Sequence, residues 1–103
     1  MNYQHFLEQL PNFYDNWDKI SASPKSDRFQ LLLDRASGTA TANVMQLLNF
    51  AVGCMEPGEI YCEIGCFQGE TLIAALLDRS EKFGYAVDCS SQFDEDEENL
   101  ERL

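Results

Sequence analysis

Positive charge is scarce in this 103-residue chain: seven Lys and Arg stand against 18 Asp and Glu, a formal net charge of -11. A surface of that sign repels nucleic-acid backbones and anionic membranes, so neither is expected as a partner. No apolar run reaches the roughly 18 residues that a membrane-spanning helix requires. The first residues, Met-Asn-Tyr-Gln-His-Phe-Leu-Glu, lack the basic patch and apolar core of a secretory signal. A soluble, cytoplasmic protein is the expectation. Cys54, Cys62, Cys66 and Cys89 form no Cys-x-x-Cys pair, and without a secretory signal a disulfide framework is not expected. Cys62, Cys66 and Cys89 could cluster in space, but zinc would need a fourth ligand, so free thiols and no metal site are expected. The single histidine, His5, lies in a terminus expected to fray, a poor place for a catalytic base. Gly-Lys-Ser/Thr is absent, which excludes a P-loop.

What is present is concentrated between Ile60 and Thr71. The order Ile-Tyr-Cys-Glu-Ile-Gly-Cys-Phe-Gln-Gly-Glu-Thr reads as a short apolar strand, a glycine-framed turn and the start of a helix. Gly65 and Gly69 carry no Cβ, so the turn can take positive φ and a ligand can approach the backbone. The first amides of a helix lack internal partners and sit at the positive end of its dipole, where a phosphate or carboxylate is the natural ligand. Glu63 ends the strand. Nineteen residues after Gly69 a second short strand, Gly84-Tyr-Ala-Val-Asp88, ends in another carboxylate. In a βαβ unit this strand lies beside the first, which brings Asp88 next to the turn, where it suits a ribose diol. A strand-turn-helix without a ligand is the plain structural alternative for Glu63, Gly65, Gly69 and Asp88. The second carboxylate, at the right distance, favours a cofactor site.

The dinucleotide fingerprint places glycines at its first, third and sixth positions; counted from Gly65, Phe67 and Glu70 occupy the last two. The pattern that fits is Glu-x-Gly-x-x-x-Gly followed by an acidic end to the next strand. It resembles the class I S-adenosylmethionine-dependent methyltransferases. A subgroup of bacterial stand-alone domains is closer still, on the lead-in Leu47-Leu48-Asn49-Phe50-Ala51 and the motif Val87-Asp88-x-Ser-x-Gln-Phe93. The likeness covers residues 41–103; it departs at Phe67, where many members carry a middle glycine. It implies an S-adenosylmethionine site in which Gly65 and Gly69 lie against the methionyl group and Glu63 near its ammonium. Asp88 would accept from the ribose hydroxyls, with Cys66 in the glycine turn and Cys89 on the adenine side. The implied reaction is SN2 methyl transfer from a sulfonium.

The fold class expected is α/β: N-terminal helices followed by the first βαβ unit of a Rossmann-like, doubly wound methyltransferase fold, apparently incomplete. Residues 1–40 form the helical lead-in and residues 41–103 the amino-terminal half of the cofactor domain. Phe6, Leu10, Phe13, Tyr14 and Trp17 follow helical spacing, with Pro11 starting a second helical turn. Residues 21–26 form a loop. A short helix runs from Asp27 to Ala36 and ends at Gly38. Thr41 caps a helix to about Met55, with Val44, Leu47, Leu48, Ala51 and Met55 on its apolar face. Pro57-Gly58 turns into the first strand, Glu70 to Ser80 form a helix apolar nearly all round, and Asp94 opens the last helix.

The aromatic stripe around Trp17 reads as core or a lid over the sheet rather than an adenine or substrate platform. The run Asp94-Glu-Asp-Glu-Glu98 reads as a solvated helix start, since the spacing and glycine of a calcium loop are missing. With two parallel strands and open edges, the isolated chain is expected to be marginal or self-associating and, without acceptor-binding elements, to transfer no methyl group. Two alternatives remain: a non-enzymatic cofactor-binding or interaction module, including a truncated remnant, and half of an NAD-dependent oxidoreductase.

Overall fold

The computed structural model describes residues 1–35, 40–65 and 70–87. Gly38, Cys66, Phe67, Gly69, Asp88, Cys89 and the acidic run from Asp94 lie outside the described residues. Within them the chain is mixed α/β, with four α-helices and two two-stranded sheets.

Helix α1, Tyr3–Gln9, starts where the Asn2 side chain accepts from the His5 amide at 3.1 Å. The terminus is not frayed: the Asn2 N–H donates to the Cys54 carbonyl at 3.1 Å, and the Met1 ammonium pairs with Glu59. Pro11 gives no N–H to an α-helix, and the chain tightens into a 3-10 turn over Leu10–Phe13. The helical spacing fails beyond it. Tyr14 is extended and opens β1, Tyr14–Asp15, which pairs antiparallel with β2, Ser23–Pro24. Asn16 and Asp18 take left-handed φ of 55° and 70°, so the expected stripe divides. Phe6, Leu10, Phe13 and Tyr14 pack around Phe50 and Cys54, whereas Trp17 stays 45% exposed.

Helix α2, Arg28–Asp34, buries Phe29 completely against Met45 and Ala74, with Leu32 and Leu33 beside it. Helix α3, Ala42–Gly53, is capped as expected, with the Thr41 hydroxyl accepting from the Val44 amide. Its inward face is not the expected one. Val44 and Leu47 are exposed, and Met45, Gln46, Asn49, Phe50 and Val52 are buried. The reason is polar. Asn49, fully buried, donates through Nδ2 to the carbonyls of Ala74 at 2.9 Å and Leu77 at 2.8 Å. Its Oδ1 accepts from Arg28 at 3.0 Å and Arg79 at 3.2 Å. The last carbonyls of a helix lack α-helical donors; the Ala74 carbonyl accepts from the Leu77 N–H at a long 3.3 Å, and the Asn49 side chain from α3 adds a closer donor.

That helix is α4, Glu70–Leu76, shorter than expected; Asp78, at φ 58°, follows its end. Its surface is not uniformly covered: Ala74 and Ala75 are buried, while Ile73 is 52% exposed. Strands β3, Tyr61–Ile64, and β4, Gly84–Val87, flank it in sequence and pair in parallel, Tyr61 opposite Gly84 and Ile64 opposite Val87. A Cβ on Gly84 would meet Leu76 at 3.1 Å, Leu72 at 3.3 Å and Tyr61 at 3.4 Å, so a glycine lets α4 lie close on one sheet face. Cys62, Ile64, Tyr85 and Val87 point to the other face, which is exposed.

Replacing Asn49 by Ala strips donors from buried carbonyls and leaves two guanidiniums without their shared acceptor. A loss of about 2–4 kcal/mol in unfolding free energy is expected from the unmet polar groups and the cavity. Urea denaturation checks it, and a loss below about 0.5 kcal/mol, the scale of an ordinary surface substitution, would contradict the role given to Asn49.

Candidate functional site

Side chains alternate across a strand, so Tyr61 and Glu63 share one face of β3 and both are half-buried. The Tyr61 hydroxyl donates to Glu63 Oε1 at 2.7 Å. Burial, followed by the hydrogen bond to Glu63 and its charge, pushes the Tyr61 phenol well above its ordinary value of 10.0. The second oxygen, Glu63 Oε2, is buried and has no hydrogen-bond partner among the described residues. A buried carboxyl oxygen left unpaired costs free energy that a ligand donor can recover.

Two residues on, Gly65 sits at φ 74°, a conformation that side chains with a Cβ rarely adopt. Its N–H donates to the Val87 carbonyl at 2.6 Å, which carries the ladder one bond past the last paired residues. The carboxyl ends of β3 and β4 are thereby level. Of the expected site, the structure brings Glu63 and Gly65 to this end of the sheet. Cys66, Gly69, Asp88 and Cys89 fall outside the described residues, Asp88 and Cys89 directly following Val87 and Cys66 directly following Gly65.

One residue was missed. Glu70 is the first described residue of α4, is only 8% exposed, and its Oε1 also lacks a partner among the described residues. A carboxylate in the first turn of a helix ordinarily reads as a solvated group favoured by the dipole. Nothing in the spacing marks this one as buried; its position directly after the glycine turn was the available signal. The consequence is chemical. A carboxyl group at the described start of α4 disfavours a phosphate beside it and favours a donor-rich, positively charged group.

Cys62 is exposed on the opposite sheet face from Glu63, so it does not join the carboxyl side chains. Cys54 is buried beneath α1, and burial raises its thiol, partly opposed by the charge of Arg79. Among the described residues no three His, Cys, Asp or Glu side chains converge on a common point. His5 packs its ring against Phe50, 5.9 Å between centroids, rather than facing Glu63. Among the described residues no helix is long and apolar enough to cross a membrane. No protein family, curated protein or solved structure matches the chain.

The Tyr61–Glu63 pair sets a pH dependence. A folded value raised above the unfolded one stabilises the fold below pH 10, and that contribution is lost as pH rises from there through the folded value. Burial also raises the Tyr14 phenol, so alkaline titration of tyrosinate absorbance should show a late component that loses the amplitude of one tyrosine in Tyr61→Phe. A titration curve with no late component, or one that Tyr61→Phe leaves intact, would contradict the pairing.

Proposed function

We propose that the chain binds S-adenosylmethionine at the carboxyl ends of β3 and β4, as the cofactor-binding part of a Rossmann-like, class I methyltransferase. The observation that carries this reading is Glu63: a half-buried carboxyl near the end of a parallel strand, with one oxygen unpaired among the described residues, two residues before a glycine at positive φ. Parallel pairing of β3 with β4 across α4 supports it, because the ends of neighbouring parallel strands are where such sheets bind ligands.

The carboxyl groups favour this cofactor over a pyrophosphate-bearing one. Glu63 and Glu70 bracket the turn in sequence, and each has a buried oxygen without a partner among the described residues. S-adenosylmethionine brings an ammonium and a sulfonium and no phosphate, whereas the NAD pyrophosphate would be repelled. In this reading the ammonium donates to Glu63, the methionyl chain runs against Gly65 and Gly69, and Asp88 takes the ribose hydroxyls. Cys66 and Cys89 line the turn and the adenine side. The sulfonium loses its methyl group to a nucleophile in line with the breaking bond, and alignment supplies most of the rate.

Calorimetric titration tests the site. Glu63→Gln and Asp88→Ala should each weaken S-adenosylmethionine binding by about 1–3 kcal/mol, the range for an unmet buried polar partner. Gly69→Ala should also weaken it, and Asp96→Ala, in the acidic run, should leave it unchanged because a solvated charge is screened. Folding of each variant is followed by circular dichroism. Equal affinity for the wild-type chain and Asp88→Ala removes Asp88 from the site. Binding of NAD in place of S-adenosylmethionine overturns the methyltransferase reading, and binding of neither favours the interaction-module alternative.

A further inference from the structure

The hairpin between α1 and α2 builds a second concave surface that shares no residue with the Glu63 site. A cavity of about 410 Å³ opens between the β1–β2 loop and the outer side of α3. That volume falls within the range of small-molecule sites. Trp17 and Tyr14 form an aromatic corner, ring centroids 5.3 Å apart and planes tilted by 47°. Val44 and Leu47, one helical turn apart, supply an aliphatic floor, and Asp18 is the only charged residue among the described residues of the lining.

The polar groups around the floor are already committed. The Tyr14 hydroxyl donates to the Asn43 carbonyl at 2.7 Å, which fixes the ring. The Asn43 side chain donates to the Ala22 carbonyl at 2.9 Å, which closes the loop onto α3. Asp18 makes no salt bridge to another described residue, and Lys19, its neighbour in the chain, does not line the cavity. Trp17 stands between Asn16 and Asp18, both in the left-handed region, which asparagine and aspartate enter more readily than other side-chain-bearing residues. This backbone leaves the indole 45% exposed instead of in the core.

We propose that this cavity is a binding site for an organic cation with an apolar body, an alkylated ammonium above all. Two aromatic rings and one carboxylate, with no cation among the described lining residues, are the chemistry that recognises such a group. The ring quadrupoles attract the positive charge, the methyl shell is buried on Val44 and Leu47, and Asp18 neutralises the charge at the mouth. A neutral ligand of the same shape gains only the apolar contact, and an anion is repelled by Asp18. An acidic chain of net charge -11 adds a field of the same preference.

Trp17 is the only tryptophan, so its emission reports this site alone. The probe is benzyltrimethylammonium, with benzyl alcohol as the neutral comparator carrying the same ring. A saturable change in Trp17 emission is expected with the cation, and affinity about three- to fivefold lower for the alcohol, the scale of a cation–aromatic contact at an exposed site. Asp18→Asn keeps a residue that tolerates the left-handed backbone and should weaken the cation by a similar factor. Val44→Lys, on the exposed side of α3, places a competing charge on the floor and should abolish saturable binding. A response that never saturates, equal affinity for benzyl alcohol, or binding unchanged in either variant overturns the proposal. These readouts are independent of S-adenosylmethionine, so failure at one site leaves the other standing.

Discussion

A single buried amide organises this chain. Asn49 faces acceptors on one side and donors on the other. Its Nδ2 reaches the carbonyls that end α4, and its Oδ1 receives two guanidiniums. The arrangement works in one orientation only, because arginine donates and never accepts while carbonyls do the reverse. Arg28 extends the network to Asp78 at 3.0 Å, joining the start of α2 to the turn after α4. Gly53 belongs to the same constraint. A Cβ there would lie 2.6 Å from the Arg79 guanidinium carbon and displace the arginine from Asn49. Buried networks of this kind are costly when half-satisfied, so α2, α3 and α4 are held in one mutual geometry.

Everything at the sheet follows from where α4 is held. With its end fastened to α3, its Leu72 and Leu76 reach the Gly84 backbone and fix one covered face of the β3–β4 pair. The covered face is the one that carries Tyr61 and Glu63. The phenol satisfies one oxygen of Glu63 and leaves the other available. Gly65 then leaves the strand at positive φ, still bonded to Val87. The N-terminal segment contributes from the far side of α3. Phe6, Phe13 and Tyr14 enclose Phe50, and the Tyr14 ring turns from this cluster toward the Trp17 cavity.

The first strand, Gly65 at its end, the helix and the second strand were legible because each is written locally. Gly65, Glu63 and the alternation from Tyr61 to Ile64 need no distant partner to be read. Thr41 as a cap was legible for the same reason. The inward face of α3 was not. Apolar spacing selects Val44, Leu47 and Ala51, yet the helix turns to bury Asn49, because hydrogen bonding to α4 outweighs the exposure of two aliphatic side chains. Hydropathy assigns an asparagine to the surface and cannot register a partner 25 residues away, the separation of Asn49 from Ala74. Glu70 was hidden by the same blindness, as an acid at a helix start that the tertiary packing buries. Trp17 was misread because helical spacing continues through Pro11 in the sequence while the backbone does not.

The proposed site for S-adenosylmethionine lies at the carboxyl ends of β3 and β4. Amide NMR of the isotope-labelled chain during titration with the cofactor tests it most directly. Saturable shifts are expected at Glu63, Gly65 and Val87, with Trp17 and the β1–β2 hairpin unmoved. No shift at Gly65 on saturation with S-adenosylmethionine, or the same shifts produced by NAD, would contradict it.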